Sequence, residues 1–150
     1  MENKLKELSS ETAMDASYNC AQSLLLPFLK QYGIREEDGL RFASVFGSGM
    51  ARMQETCGAV TAGFMILGLE YGFVNPKDQN QRDLLLEKSK KFVSKFKNEF
   101  GTIKCKDILK YDVNTVEGLR KHKEENQREL LCKVCVKFSA KILEEMIDKK

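Results

Sequence analysis

The stretch from Phe46 to Gly72, FGSGMARMQETCGAVTAGFMILGLEYG, decides the fold. Gly47 and Gly49 let the backbone turn where a side chain would clash, and an apolar segment at helical spacing follows them. Thr56 is the expected N-cap, which places Cys57 in the first turn of a helix. Unpaired backbone N–H groups and the positive end of the helix dipole favour a thiolate there. Cys57 is therefore the leading candidate for chemistry.

Small residues on this helix predict a central position for it. Ala59 and Gly63 are four residues apart, as are Gly58 and Ala62, so two adjacent strips of the helix carry no bulky side chain. Another backbone can approach such strips closely. We therefore expect an all-α fold of about five or six helices, packed around the helix that Cys57 begins.

Length and composition favour one helical domain over residues 1–150, with residues 1–12 and 148–150 expected to fray. Hydrophobic residues make up 42% of the chain and charged residues 31%, and two prolines and no tryptophan leave little material for a β-sandwich. The net charge is only +3, and lysines alternate with acidic residues along most of the chain. This pattern argues against a nucleic-acid partner.

The N-terminal residues are polar, and the longest apolar patch, Gly63 to Leu69, is far too short to cross a bilayer. We therefore predict a cytoplasmic protein without a membrane span. Thiols in that compartment stay mostly reduced. The five cysteines are then interpreted as free thiols, metal ligands or transient redox partners rather than as structural disulfides.

Helix signals before the central segment predict two helices. Ser9 or Ser10 can cap a first helix that Pro27 bends and that ends by Gly33. A second helix is expected from Glu36 to Met53, loosened by the two glycines.

Helix signals after Gly72, the expected C-cap of the central helix, predict two further long helices. The first starts at Asn75–Pro76 and ends at Gly101, and the last runs from Asn126 to Lys149. The apolar stripe of the first consists of Leu85, Phe92, Phe96 and Phe100.

The segment between these helices carries a short turn of helix at Cys105 to Leu109 and a polar surface connection from Asp112 to Asn126. The only histidine, His122, lies in this connection. Lysine and arginine flank it and disfavour cation binding, so we expect an exposed side chain without a role as a metal ligand.

The remaining cysteines differ in their sequence surroundings. Cys20 and Cys135 lie on apolar helical faces, where a free cysteine is most often a small buried hydrophobe. Cys105 lies in the polar segment TIKCKD, whose lysines would stabilise a thiolate. Cys132 and Cys135 form a C-x-x-C pair inside a long helix, without the strand-to-helix turn of thioredoxin-like sites. A disulfide within that pair would be geometrically awkward.

Gly47, Gly49 and Gly58 are the candidate positions at which a cofactor could approach the backbone beside Cys57. Neither the lysine spacing of a P-loop nor a preceding strand accompanies them. A phosphate-binding loop and a dinucleotide-binding fold are therefore excluded.

The segment from Cys57 to Gly63, CGAVTAG, resembles the motif of the C_GCAxxG_C_C family, a group of small proteins described as redox-active. The family name contains four cysteines, and Cys20, Cys57, Cys105 and Cys132 follow in that order here. The resemblance extends from about Ala16 to Met146. It implies redox chemistry with these four cysteines as the candidate catalytic residues.

Two functional hypotheses follow. In the first, Cys57 cycles with a second cysteine as an internal disulfide, and Cys105 is the preferred partner because its polar surroundings suggest better access than Cys20 has. In the second, Cys20, Cys57, Cys105 and Cys132 hold zinc or an iron–sulfur cluster without catalytic turnover. A third interpretation treats all cysteines as core residues. It does not explain why a glycine-containing segment precedes Cys57. The sequence leaves three points open. They are whether a cofactor is bound, which redox partner or small-molecule substrate the protein uses, and whether it turns over as an enzyme.

Overall fold

The computed structural model describes residues 5–147 and confirms the all-α class: within these residues there is no β-strand. Its α-helices number eight rather than five or six: α1 (Leu5–Asp15), α2 (Cys20–Leu25), α3 (Glu36–Ala43), α4 (Gly58–Tyr71), α5 (Gln79–Phe100), α6 (Cys105–Leu109), α7 (Val116–Glu124) and α8 (Lys133–Met146). A 3₁₀ segment (Leu26–Tyr32) follows α2, and a π-helical turn (Arg128–Cys132) precedes α8.

The predicted first helix is divided into α1, α2 and the 3₁₀ segment. The left-handed backbone of Ser17 (φ 74°) separates α1 from α2, and Asn19 then caps α2 through a capping box with Gln22. Pro27 lies at the start of the 3₁₀ segment, and Gly33 ends it in the left-handed conformation, as predicted. Helix α1 includes residues 5–12 of the expected frayed end, whereas residues 1–4 and 148–150 lie outside the described part.

The predicted second helix is wrong beyond Ala43, where α3 ends. Residues 48–52 all have positive φ instead, and four of these five residues are not glycine. Such a conformation costs about 1–2 kcal/mol per residue. The surrounding structure must therefore hold this left-handed segment in place.

Gln54 provides the main tie between this loop and the rest of the chain. Its side chain is 5% exposed, its Nε2 donates to the Tyr111 carbonyl at 2.8 Å, and its Oε1 accepts from the Val113 N–H at 3.0 Å. Asn114 adds a hydrogen bond from Nδ2 to the Arg52 carbonyl. The loop before α4 is thus joined to the chain between α6 and α7.

Helix α4 is the central helix, as predicted. It packs against α2, α5 and α8, and its buried side chains include Val60, Ile66 and Leu67, each with no exposed surface. Tyr71 donates its hydroxyl to the Met146 carbonyl in α8 at 2.8 Å. Gly72 is the C-cap, again as predicted. None of the described helices combines the length and apolarity needed to cross a membrane.

Helix α5 keeps its predicted stripe and its predicted end. Phe92 and Phe96 are fully buried, Phe100 packs edge-on against Phe138 of α8, and Gly101 is the left-handed C-cap. The N-cap is Asp78 rather than Asn75, since the Asp78 side chain accepts from the Gln81 N–H.

The connection from residue 112 to residue 126, predicted as a polar surface segment, contains the nine-residue helix α7. The predicted last helix begins with the π-helical turn and continues as α8.

A cavity lined by five cysteines

All five cysteines line one cavity of about 40 Å³ at the N-terminal end of α4, and all are free thiols. A cavity of this size holds roughly three water molecules. The other residues that line it are Asn19, Ser48, Gly49, Gly58, Ile108, Leu109, His122 and Arg128. The structure thus brings the four family cysteines together and adds Cys135, which the sequence favoured as a core residue.

Three of the cysteines lie where a helix begins, and Cys132 is the last residue of the π-helical turn that continues into α8. Cys20 is the first residue of α2, and Cys105 is the first residue of α6. Cys57 is itself the N-cap of α4, one position earlier in the helix than expected from Thr56. The partial positive charge at helix N-termini favours anionic sulfur in such a place.

Backbone pairing holds Cys57 beside Cys105. The Cys57 N–H donates to the Ile103 carbonyl at 2.7 Å, and the Cys105 N–H donates to the Glu55 carbonyl at 2.7 Å. These two bonds flank an isolated antiparallel bridge between Thr56 and Lys104. The start of α4 and the start of α6 are therefore joined as in a short sheet.

Close packing explains the three candidate glycines. A Cβ at Gly58 would lie 3.0 Å from the Cys20 Cβ and 2.9 Å from the Phe46 carbonyl oxygen, so glycine lets α4 approach α2. A Cβ at Gly47 would lie 2.6 Å from the Asn19 Cβ, and Gly49 has a φ of +67°. Contact of these glycines with a cofactor stays a hypothesis.

The thiols interact in two pairs. Cys20 and Cys132 form what we call the outer pair, because both are partly exposed. A hydrogen bond from the Cys132 thiol and the charge of Arg128 lower the pKa of Cys20, and the same hydrogen bond together with burial raises the pKa of Cys132. The charge of Arg128 therefore favours an anionic sulfur at Cys20.

Cys57 and Cys135 form the inner pair, which is 7% and 1% exposed. The hydrogen bond that Cys135 donates to Cys57, followed by burial, raises the pKa of Cys135. Cys135 is thus part of the thiol cluster as well as of the core.

Cys105 is less exposed than the sequence predicted. It is 7% exposed, whereas Cys20 is partly exposed, so the predicted order of access was wrong. Burial, followed by the charges of Cys57 and Cys20, raises the pKa of Cys105 to about 12. Lys104 lies 3.7 Å from a Glu55 carboxylate oxygen, and it does not offset the burial of Cys105.

Two polar residues of the cavity were not identified from the sequence. His122, expected to be exposed, is partly buried, and its Nδ1 lies 2.7 Å from the Tyr111 hydroxyl. Burial, followed by the charges of Arg128 and Arg52, lowers the pKa of His122. Arg128 donates from Nη2 to the carbonyls of Met14 and Tyr18. No local motif marked either residue, because both reach the cavity through the packing of distant segments.

Metal-site geometry is absent from the part of the chain that the structure describes, since no three or more His, Cys, Asp or Glu side chains there are grouped as metal ligands.

The described part of the chain is all-helical and its five thiols line one cavity, so the class of protein is a small helical thiol protein. The chain belongs to the C_GCAxxG_C_C family, described as "Putative redox-active protein (C_GCAxxG_C_C)", whose pattern matches residues 18–146. The family assignment inferred from the four cysteines is thereby confirmed. No curated protein and no solved structure matches the chain significantly.

Proposed function

We propose that the protein carries out thiol-based redox chemistry through two dithiol pairs, in which Cys57 cycles with Cys135 and Cys20 cycles with Cys132. The observation that carries this proposal is the convergence of all five cysteines on one cavity. The pairing is supported by the interaction within each pair, which shifts the pKa of Cys20, Cys132 and Cys135. A nearby second thiol captures an oxidised sulfur as a disulfide before further oxidation occurs.

The inner pair retains Cys57 as a cycling thiol but replaces Cys105 by Cys135 as its partner. The support is twofold: Cys135 donates a hydrogen bond to Cys57, and the buried Cys105 thiol has a pKa raised to about 12, which disfavours its thiolate. The proposal places the protein in a reducing compartment such as the cytoplasm, with a dithiol reductant as its redox partner.

Mild oxidation of the reduced protein with diamide tests this assignment by peptide mapping. We expect two intramolecular disulfides, Cys20–Cys132 and Cys57–Cys135. Cys57→Ser should remove the inner link and leave the outer link in place, whereas Cys105→Ser should leave both. A map in which Cys57 remains reduced while other cysteines are linked would sink the cycling proposal, and a Cys57–Cys105 link would restore the partner inferred from the sequence.

Metal binding is the second candidate, because cysteines from four separate segments of the chain line one cavity. Cys20, Cys57, Cys105 and Cys132 would be the ligands of zinc or of an iron–sulfur cluster. In that case Cys57→Ser should lower metal content and melting temperature together, since metal binding is coupled to folding. Colourless, metal-free protein after anaerobic purification would reject this candidate.

A further inference from the structure

The outer pair is the only pair that combines partial exposure with a nearby cation. Both of its cysteines keep solvent-accessible surface, whereas Cys57 and Cys135 expose 7% and 1%. The outer pair is therefore the more exposed of the two pairs.

Arg128 provides the charge in this part of the cavity. Its Nη2 donates to the carbonyls of Met14 and Tyr18, which fixes the guanidinium at the C-terminal end of α1. Those bonds use Nη2, so Nε and Nη1 retain N–H groups on a side chain that lines the cavity. A fixed guanidinium stabilises negative charge on the Cys20 sulfur and on an oxygen atom that accepts electrons there.

Cavity size restricts the oxidant. A volume of about 40 Å³ accommodates a molecule of a few heavy atoms beside the Cys20 sulfur. Ser48 and Arg128 in the cavity lining carry hydrogen-bond donors for a small polar molecule. Hydrogen peroxide meets both conditions.

Resting on the proposed dithiol function, we propose that the outer pair reduces small hydroperoxides, with Cys20 as the attacking sulfur, Cys132 as the resolving thiol and Arg128 as a positioning residue. The Cys20 thiolate attacks one peroxide oxygen, an S–O bond forms, and the O–O bond breaks. The departing hydroxide takes up a proton and leaves as water.

Cys132 completes the reaction. Its sulfur attacks the Cys20 sulfenic acid, an S–S bond forms, and the S–O bond breaks with release of a second water. The dithiol loses two electrons and the peroxide gains two, so one peroxide and one dithiol give one disulfide and two waters. A dithiol reductant, dithiothreitol in the test, returns the pair to its reduced form.

Rapid mixing of pre-reduced protein with hydrogen peroxide tests the proposal, with glutathione and the denatured chain as references for ordinary thiols. The folded protein should react at least about a hundredfold faster than these references, because preorganised electrostatic donors contribute factors of this order. Cys20→Ser should lose the fast phase. Cys132→Ser should keep it but accumulate a sulfenic acid that dimedone traps.

Two substitutions of Arg128 test whether its positive charge is what accelerates the reaction. Arg128→Ala should slow the fast phase by about tenfold or more, and Arg128→Lys should recover part of the rate because it keeps the charge. Arg120→Ala removes an exposed arginine of α7 and is the matched control, with an unchanged rate expected. Equal rates for Arg128→Ala and wild type, with both folded by circular dichroism, would reject the role of Arg128.

The size argument is tested with cumene hydroperoxide, which should react much more slowly with the folded protein than hydrogen peroxide does. If diamide forms the two expected disulfides but peroxide reacts no faster than with glutathione, the peroxide inference fails and the dithiol function stands. If neither oxidant forms a disulfide within either pair, both fail.

Discussion

Identical cysteine side chains acquire different properties in this protein because their neighbours differ. Cys20 accepts a hydrogen bond from the Cys132 thiol and lies near Arg128, and these effects outweigh burial, so its pKa is lowered. Cys105 is buried beside other thiols, so its pKa is raised. The most reactive thiol is therefore expected to be Cys20, although the sequence favoured Cys57 for its place at the helix start.

Limiting iodoacetamide should modify Cys20 first in the native protein at neutral pH. Alkylation requires a thiolate, so Cys105 should stay nearly unreactive there and react faster only as the pH approaches its pKa of about 12. Mass-spectrometric mapping across a pH series measures both. In denatured protein the two should react alike, with the ordinary thiol pKa of about 9.0. Earlier modification of Cys105 than of Cys20 at neutral pH would contradict this reading.

At the scale of one element, α4 contains glycines with opposite surroundings. A Cβ at Gly63 would lie 2.4 Å from the Cε1 atom of Phe92, a fully buried ring of α5. A Cβ at Gly68 would meet nothing within 4 Å. Gly63 is thus required for the packing of α4 against α5, whereas Gly68 only lowers the helix propensity of α4.

Gly63→Ala and Gly68→Ala therefore form a matched pair. Gly63→Ala should lower the free energy of unfolding by about 1–3 kcal/mol, because the added methyl overpacks the core. Gly68→Ala should raise it by about 0.5–1 kcal/mol, since alanine is the better helix former. Urea unfolding monitored by circular dichroism gives both values. Equal losses in the free energy of unfolding of the two variants would contradict the packing role given to Gly63.

At the scale of the whole molecule, the cavity exists because distant segments are joined by a few buried polar contacts. Gln54 ties the left-handed loop to the chain between α6 and α7, and Arg128 ties the π-helical turn to the end of α1. Neither contact adds much apolar burial. They determine where the segments that carry the thiols are placed.

Gln54→Met keeps the length of the side chain but removes both hydrogen bonds. The Tyr111 carbonyl and the Val113 N–H lose their partner, so we expect a loss of about 1–3 kcal/mol in the free energy of unfolding. Cys105, whose N–H is bonded to the same loop, should also become easier to alkylate. Gln79→Met, at an exposed position of α5, is the control and should change stability by no more than about 0.5 kcal/mol. Equal effects of the two changes would contradict the role given to Gln54.

The sequence by itself determined the helical class, the central helix, its C-cap Gly72, the end of α5 at Gly101 and the family to which the four cysteines belong. These features depend on local spacing and on residues with strong backbone preferences, so nearby residues suffice to predict them. Only the tertiary structure decided the left-handed run at residues 48–52, which local preferences oppose and Gln54 holds. It also decided the burial of Cys105, the convergence of Cys57 and Cys135 on one cavity and the approach of Arg128 to Cys20. These depend on contacts between residues far apart in the chain, for which a single sequence carries no local signal.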